Sequence, residues 1–485
     1  MKKRYTPPLA PTLLEAMRAI GYSFETALAD IIDNSIAAAA TRVEVMFSLS
    51  PSPYVSISDN GSGMEADQLF SAMRHGSRNP QSERRRDDLG RFGLGLKTAS
   101  LSQCRRMTVA STAGGAINGA EWNLDDCADW MLLELDAQDL DSVPNISALR
   151  QRTSGTLVVW RDPDRALAGE SNAEEALMGL MDRARDHLSL VFHRFLQGSF
   201  PELTITINGL PVRPLDPFLL NAKGRQTLPP ETLHVDGAAV RVEAHILPHA
   251  SKLSVQEIAL AGGEEGLRRN QGFYVYRNRR LITWGTWFRL AKQEEMTKLA
   301  RVVVDIPNSL DHLWSLDVKK SAAHPPEEVR RGLSRIVERI ADRSRRVYTF
   351  RGNRGWSPDL VPAWRRLEMR DRNIRYEVNR EHDLFSALRK EVPERAAPIL
   401  ERFVQMIEDS FPFDAVYADM ASDRRTDIHE RPEDVEDRLL EIAGHLLGAL
   451  AGTPQDRAAM LERLHLLEPF NKYPDMTTKI KEKLR

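Results

Sequence analysis

The sequence predicts an α/β protein of two to four domains. Helix and strand patterns alternate through the first 110 residues, a second mixed α/β segment continues to about residue 350, and the rest is mostly helical. A chain of 485 residues is long for one domain. Its 42% hydrophobic and 28% charged residues are ordinary for a globular protein that buries a core.

Charge, cysteine content and hydropathy bear on three questions: affinity for nucleic acid, redox compartment and membrane insertion. A formal net charge of -2 creates no global field toward nucleic acid, so any such affinity must come from a local patch. Cys104 and Cys127 are too few for a disulfide framework, which suits a reducing cytosol. No stretch of about 18 apolar residues occurs, so no membrane span is expected. We therefore expect a cytoplasmic protein.

Apolar periodicity places the individual elements of the first domain. It predicts helices at Leu13–Ala19, Thr26–Ala40 and Ala173–Leu196. It predicts strands at Arg42–Phe47, Tyr54–Ser58, Arg106–Ala110, Thr156–Trp160 and Leu203–Asn208, the last closing in a turn at Asn208-Gly209.

A polar stripe follows one face of the second predicted helix. Asp30, Asp33 and Asn34 share this face, and Leu28 and Ile32 lie on another. A carboxylate and an amide four residues apart could hold a hydrated Mg²⁺ and position a water, because Mg²⁺ takes one or two protein oxygens beside phosphates and waters. A solvated helix face is the alternative interpretation.

A second motif, Asp59-Asn60-Gly61-Ser62-Gly63-Met64, directly follows a predicted strand. Its glycines allow a sharp turn and a close approach by a ligand. Asp59 could accept a hydrogen bond from an exocyclic amine such as that of adenine. An ordinary Asp-Asn-Gly turn is the alternative.

A third motif, Gly90-Arg91-Phe92-Gly93-Leu94-Gly95-Leu96-Lys97-Thr98, opens a predicted helix. Glycines ahead of a helix N-terminus expose backbone N–H groups to phosphate oxygens. The spacing before Lys97 excludes a P-loop, and the lack of a directly preceding strand excludes a dinucleotide fingerprint.

The three motifs follow one another along the chain as a helix, a strand followed by a turn, and a loop that opens a helix. In this order and in these structural contexts the chain resembles the GHKL superfamily (gyrase, heat-shock chaperone, histidine kinase, MutL). The segment Ser154-Gly155-Thr156-Leu157-Val158 is similar to the Gly-Thr strand that closes the adenine pocket in that superfamily. The resemblance implies a Bergerat-type ATPase fold, a sandwich of helices on a mixed sheet, over residues 1–195.

The resemblance also implies roles for single residues. Asn34 would ligate Mg²⁺, and Asp59 would recognise adenine with help from Thr156. Asp30 stands where the hydrolysing branches usually carry the Glu that activates water, which puts the turnover rate in doubt. The lid would run from about residue 73 to 92. Gly63 would also help to recognise adenine, and the phosphates would be held by Gly90, Gly93, Gly95 and Lys97. The other residues expected to contact ATP are Gly61, Met64, Phe92, Leu94 and Leu96.

Residues 196–350 are expected to form a transducer-like α/β domain. Asn270–Ile282 is typical of two strands joined by a turn at Asn278. Leu316–Ser321 resembles the loop that carries a lysine to the terminal phosphate, so Lys319 or Lys320 would stabilise the charge developing there. A basic pair at a strand end is the alternative. The domain order resembles the MutL, chaperone and MORC branches of the superfamily. The run Asp33-Asn34-Ser35-Ile36-Ala37-Ala38 and the strand at Tyr276-Arg277-Asn278 are most similar to prokaryotic MORC-like ATPases, which implies a setting of DNA and of restriction or anti-phage defence.

The third region, residues 351–485, is expected to be mainly helical, with helices that could bind protein partners. Just before and within it, Arg343–Arg380 contains eleven arginines against four acidic residues, a net charge of about +7. Arginines suit phosphate contacts and the interleaved aromatic residues suit base stacking, which makes this segment the candidate DNA surface. Arginines paired with acids of the C-terminal helices are the alternative.

The main hypothesis is a Mg²⁺-dependent ATPase that dimerises on binding ATP and acts as a clamp on DNA. An ATP-sensing regulatory module with little turnover, with Asp30 as a weakened base, is one alternative. A chaperone-like ATPase acting on protein clients is another, and it predicts no affinity for nucleic acid.

Overall fold

The fold is described from a computed structural model in which two compact units, residues 1–345 and 346–485, are taken separately. The structure describes residues 9–19, 21–76, 95–127, 130–167, 169, 172–198, 202–249, 252–294, 297–311, 313–316, 323–349, 360–368, 374–412, 432–450 and 452–485.

A mixed sheet forms the centre of the first unit. Within the described residues it has eight strands in the order β5-β4-β3-β6-β2-β1-β7-β8, all antiparallel to their neighbours except the parallel pair β1 and β7. The strands are β1 (Arg42–Ser48), β2 (Tyr54–Asp59), β3 (Arg106–Ala113), β4 (Asn118–Asn123), β5 (Leu133–Leu135), β6 (Ser154–Arg161), β7 (Thr204–Ile207) and β8 (Leu210–Pro211).

Helices cover both faces of this sheet. Alternate residues of a strand point to opposite faces, so Trp160 of β6 joins the larger core with Phe24 and Leu28, while Leu157 and Val159 pack in a smaller cluster with α5 and α6. The helices are α1 (Ala10–Arg18), α2 (Phe24–Ala37), α3 (Ala66–Met73), α4 (Gly95–Leu101), α5 (Ala137–Asp141), α6 (Ile146–Arg150), α7 (Ala173–Val191) and α8 (His193–Leu196).

This architecture confirms the predicted fold class, and the elements confirm most of the predicted segments. The helix expected over Ala173–Leu196 is divided at Phe192 into α7 and α8. The turn at Asn208-Gly209 joins β7 to β8 with φ of +46° and +78°. Because β7 and β8 belong to the first sheet, that sheet continues past residue 195; the division into domains at that position stays a prediction.

A second sheet follows in the same unit. Its longer strands lie in the order β10-β11-β14-β12-β13, and β9 pairs with β11. The elements are β9 (Gln226–Thr227), β10 (Glu231–Val235), β11 (Ala238–Ile246), α9 (Val255–Leu260), α10 (Gly263–Arg269), β12 (Gly272–Arg277), β13 (Arg280–Thr286) and β14 (Ala300–Ile306). The hairpin predicted around Asn278 is therefore present, with a positive φ at Asn278 and Arg279.

A short hairpin and a long helix complete the description of this part of the chain. The strands β15 (Ser315–Leu316) and β16 (Ala323–His324) pair antiparallel. The helix α11 (Glu327–Thr349) begins with two acidic residues and buries Val329, Leu333 and Ile336, as its apolar periodicity predicts.

The second unit is mostly helical, as expected, but it also contains a hairpin that the sequence pattern did not suggest. β17 (Trp364–Glu368) pairs antiparallel with β18 (Ile374–Val378). The helices are α12 (Asp383–Glu391), α13 (Ala397–Asp409), α14 (Pro432–Leu450), α15 (Pro454–Arg463) and α16 (Pro474–Leu484). Across the described ranges, no helix is long and apolar enough to cross a bilayer.

Candidate nucleotide-binding site

Helix α2 carries the first group of predicted site residues. It begins after Ser23, whose hydroxyl accepts a hydrogen bond from the backbone N–H of Thr26 at 3.4 Å. Asp30 is buried with 5% of its surface exposed, whereas Asn34 is exposed on the next turn. An exposed amide one turn from a buried carboxylate fits the expected pairing of a Mg²⁺ ligand with a general base.

The carboxylate of Asp30 is oriented by a tyrosine. The hydroxyl of Tyr22 donates a hydrogen bond to Oδ2 of Asp30 at 3.0 Å. Gly95 begins α4 on the other side, where a Cβ would stand 3.9 Å from the same oxygen. The Asp30 carboxylate therefore lies between Tyr22 and the start of the helix that follows the third motif.

Asp59 lies at the end of β2 and is buried, with 6% exposed. Its Oδ1 accepts a hydrogen bond from the backbone N–H of Gly61 at 2.9 Å, and its Oδ2 accepts one from the hydroxyl of Ser35 at 2.8 Å. Burial raises the pKa of this carboxyl, and the N–H groups of Gly61 and Thr156 and the Ser35 hydroxyl oppose the rise. Since an ionised carboxylate offers about four acceptor positions, Asp59 can accept a further donor such as an amine.

The turn after Asp59 requires glycine. Gly63 has a φ of +67°, and a Cβ there would stand 1.8 Å from the carbonyl oxygen of Thr112. Gly61 is also closely packed, because a Cβ at this position would stand 2.9 Å from Cβ of Ala38. Any side chain at Gly63 would displace the neighbouring strand, so both glycines have steric reasons to be present.

Sheet register brings Thr156 to the same place. Thr156 pairs with Asp59 across β2 and β6, and it pairs with Ser111 across β6 and β3. The hydroxyls of Ser111 and Thr156 lie 2.9 Å apart, and the Ser111 hydroxyl also accepts a hydrogen bond from the backbone N–H of Met64 at 2.9 Å. Sequence reasoning missed Ser111, because register between distant strands cannot be read from local pattern.

The third motif is described only in part. Gly90, Phe92, Gly93 and Leu94 lie outside the described residues, as does the expected lid from residue 77 onward.

The described end of this motif begins with Gly95 and Leu96 in the first turn of α4. Lys97 follows and is buried, and its Nζ donates to the carbonyl oxygens of Ala72 at 2.8 Å and Arg74 at 3.0 Å. Its ammonium group thus lies at the C-terminal end of α3, a favourable place for a cation. A phosphate contact by Lys97 stays a prediction.

His75 lies just after α3 in an aromatic cluster. Its ring packs edge-on against Trp122 and Trp130, with centroids 5.3 and 5.6 Å away. Burial lowers the pKa of His75 to about 4, and the charge of Lys97 adds to this effect. The ring is therefore neutral near pH 7 and packs against both tryptophan rings.

The second sheet contacts the candidate site at α2. Arg280, the first residue of β13, forms a buried ion pair with Asp33, with Nε and Oδ1 3.1 Å apart. Lys319 and Lys320, the candidates for the terminal phosphate, lie outside the described residues.

A separate cavity of about 340 Å³ lies beside α10 and β13. None of the predicted nucleotide-binding residues within the described ranges lines it, so it is not part of the candidate site. The lining residues are Gly262, Gly266, Arg269, Asn270, Trp284 and Gly285.

Comparison with known proteins agrees with this geometry. No match was found among curated proteins. Residues 22–156 match the family model described as "Histidine kinase-, DNA gyrase B-, and HSP90-like ATPase". This range contains Tyr22, α2, the turn after Asp59 and Thr156 itself. The match supports the assignment of the N-terminal part of this chain to the GHKL superfamily of ATPases.

Proposed function

We propose that this protein binds ATP with Mg²⁺ and hydrolyses it at a site formed by α2, β2, β6 and α4. The observation that carries the proposal is the buried carboxylate of Asp59, which is bonded to Ser35 and Gly61 and lies opposite Thr156. Such a carboxylate can bind the amino group of adenine in a pocket where the glycine backbone gives close access.

The proposed mechanism assigns a task to each of the main candidate residues. Asn34 would hold Mg²⁺, which supplies charge neutralisation for the phosphates when bound. Asp30 would accept the proton of the attacking water, and Tyr22 would keep its carboxylate in one orientation. Lys319 or Lys320 would stabilise charge at the terminal phosphate. The shorter side chain of Asp30, compared with a glutamate, makes slow turnover the expected outcome.

The experiment compares ATP turnover and ATP binding in wild type, Asp30→Ala and Asn34→Ala. We expect wild type to hydrolyse ATP, Asp30→Ala to bind ATP without turnover, and Asn34→Ala to lose the Mg²⁺-dependent part of binding. Loss of a positioned general base typically costs about 10²–10⁴ in rate.

Glu25→Ala is the matched control, because it removes a carboxylate from the first turn of the same helix. It should retain turnover. If Asp30→Ala hydrolyses ATP as fast as wild type, Asp30 is not the base.

The second candidate function is an ATP sensor with little turnover. An aspartate at the base position, already buried and bonded to Tyr22, favours this alternative. Binding of ATP by the wild-type protein without measurable turnover would support the sensor. A chaperone-like ATPase for protein clients remains the third candidate, and the C-terminal helices are its candidate partner surface.

The finer proposal is an ATP-gated homodimer that acts as a DNA clamp in a defence setting and works in the cytoplasm. Its support is the resemblance to MORC-like proteins and the basic Arg343–Arg380 segment. In the described part of that segment, Arg365 pairs with Glu381 and Arg380 pairs with Glu408. These ion pairs favour the structural interpretation of the arginines, so DNA binding needs a direct test.

That test measures salt-dependent DNA binding by the wild type and by Arg365→Glu with Arg366→Glu. The clamp hypothesis predicts that the double variant loses DNA binding. Each phosphate contact releases counterions from the DNA, which favours binding, so losing these contacts weakens it. Glu381→Gln is the control, since it breaks the Arg365 ion pair while keeping the arginine. Absence of DNA binding by the wild type would favour the chaperone-like alternative. Sedimentation with and without ATP tests the dimer.

A further inference from the structure

The ion pair between Arg280 and Asp33 joins two parts of the first unit that are far apart in sequence. Nε of Arg280 lies 3.1 Å from Oδ1 of Asp33, across 247 positions of the chain. The exposed fractions of the two side chains are 5% and 2%. Arg280 belongs to the second sheet, and Asp33 belongs to the helix that carries Asp30 and Asn34.

The surroundings hold Arg280 in one place. Its guanidinium carbon lies 4.8 Å from the centroid of the Phe192 ring, and another nitrogen donates to the carbonyl oxygen of Leu281. The nearby His187 is kept neutral, because burial and the charge of Arg280 lower its pKa to about 3. A buried charge is costly unless it is paired, so Arg280 and Asp33 have a strong reason to stay together.

This contact is one of three polar contacts that fix how α2 is rotated about its axis. Near its first turns Tyr22 holds Asp30, and near its end Ser35 is bonded to Asp59. Asp33 lies between these contacts, and its neighbour Asn34 points about 100° further around the helix. With Asp33 held inward by Arg280, Asn34 is the residue turned outward and exposed.

We propose that Arg280 is a positioning residue for the Mg²⁺–nucleotide site: by holding Asp33 it sets the direction of Asn34 and links the second sheet to nucleotide binding. This inference rests on the proposed function of the site. In this proposal the hairpin of β12 and β13 contributes to nucleotide binding indirectly, through Asp33 of α2, and does not itself contact ATP.

The experiment measures ATP affinity with and without Mg²⁺ in Arg280→Gln and in Arg280→Met combined with Asp33→Leu, two side chains that cannot form a hydrogen bond with each other. The single variant removes the guanidinium charge beside the buried Asp33 carboxylate, so it should destabilise the fold. The double variant removes both charges, so it keeps the fold while losing the pairing. We expect both to lose about tenfold to a hundredfold of the Mg²⁺-dependent gain in affinity, as when a residue supporting a metal ligand is removed. Affinity without Mg²⁺ should change less than about twofold.

Arg277→Gln is the matched control. It breaks another buried ion pair of the same hairpin, in which a guanidinium nitrogen of Arg277 lies 2.7 Å from Oδ2 of Asp311 and which includes no residue of α2. This variant should lose stability and keep wild-type Mg²⁺ dependence.

Two results would overturn the inference. If the double variant keeps the wild-type Mg²⁺ dependence, Arg280 only stabilises the fold, although the proposed function stands. If the wild type itself does not bind ATP, the proposed function fails, and the inference fails with it.

Discussion

The hydroxyl of Ser35 donates a hydrogen bond to Oδ2 of Asp59 at 2.8 Å, which joins the last turn of α2 to the end of β2. One contact thus connects the helix proposed to hold Mg²⁺ with the carboxylate proposed to bind adenine. The side chains proposed to bind adenine and those proposed to bind Mg²⁺ and the phosphates are therefore fixed relative to each other.

Ser35→Ala should weaken ATP binding by about tenfold, because binding must then fix the Asp59 carboxylate that the Ser35 hydroxyl holds in place, and fixing one side chain costs about 0.5–1.5 kcal/mol. Burial raises the pKa of Asp59, and the Ser35 hydroxyl counteracts this rise, so its loss should raise the pKa further. The ionised carboxylate is the stronger acceptor for an amine, and protonation adds a competing O–H donor, so affinity in the variant should begin to fall at a higher pH than in wild type. Calorimetric titration from pH 8 to pH 5 measures this.

An exposed serine provides the control for that experiment. Ser142→Ala at the end of α5 should leave the pH dependence of ATP binding unchanged. Asp59→Asn should bind ATP about a hundredfold more weakly than wild type at pH 8, and its affinity should lack the pH dependence that Asp59 causes, because it has no carboxylate to titrate at this position. Equal affinities of wild type and Asp59→Asn would place adenine elsewhere.

Gly63→Ala should disrupt the site, whereas Gly114→Ala should be tolerated better. Both glycines have a positive φ, which costs a non-glycine residue about 1–2 kcal/mol. A Cβ at Gly63 would also meet the Thr112 carbonyl oxygen at 1.8 Å, whereas a Cβ at Gly114 meets nothing within 4 Å. Gly63→Ala should therefore lose about 1–3 kcal/mol more in free energy of unfolding and should bind ATP more weakly. Urea unfolding together with ATP titration tests this; similar losses for the two variants would contradict it.

Acid should destabilise this protein partly through His193. Burial lowers the pKa of His193 to about 3 from 6.5, and the charge of Arg194 adds to this. As the pH falls below about 6.5, the unfolded chain binds a proton that the folded chain does not, so stability is lost at about 1.4 kcal/mol per pH unit. Above that pH this penalty is absent. In His193→Gln, the slope of unfolding free energy between pH 6 and pH 4 should be smaller by about this amount.

Tyr276→Phe separates this titration from the loss of a hydrogen bond. Nε2 of His193 lies 2.7 Å from the hydroxyl of Tyr276. The variant keeps the buried histidine, so it should be less stable at all pH values while its pH slope stays as in wild type. If His193→Gln leaves the slope of unfolding free energy against pH unchanged, His193 has the same pKa in the folded and the unfolded protein.

Local sequence pattern was sufficient for the elements that carry the site. Apolar periodicity predicted the helix that carries Asp30 and Asn34, and the glycines after Asp59 predicted a turn at the end of a strand. Both are present, and Thr156, which the resemblance assigns to adenine recognition, lies opposite Asp59 in the sheet register. These features depend on residues that are neighbours in sequence or on a family pattern.

The contacts that hold the site depend instead on register and on long-range packing. Ser111 reaches Thr156 through a strand pair, and Arg280 reaches Asp33 from the second sheet. Nothing in the local pattern specifies these partners. The hairpin of β17 and β18 was missed because its alternating residues were interpreted as a basic patch rather than as strands.

Tyr22→Phe should lower ATP turnover and leave ATP affinity nearly unchanged. The hydroxyl of Tyr22 donates to Oδ2 of Asp30 at 3.0 Å, and no group of ATP needs to touch it for this effect. Without that donor, the carboxylate populates orientations in which it does not face the attacking water, so kcat should fall about tenfold while KM stays within about twofold. Tyr54→Phe, at the opposite end of β2 from Asp59, is the matched control and should leave both constants as in wild type. If Tyr22→Phe instead raises KM at constant kcat, Tyr22 shapes the binding pocket rather than the base, and the proton acceptor must be sought elsewhere.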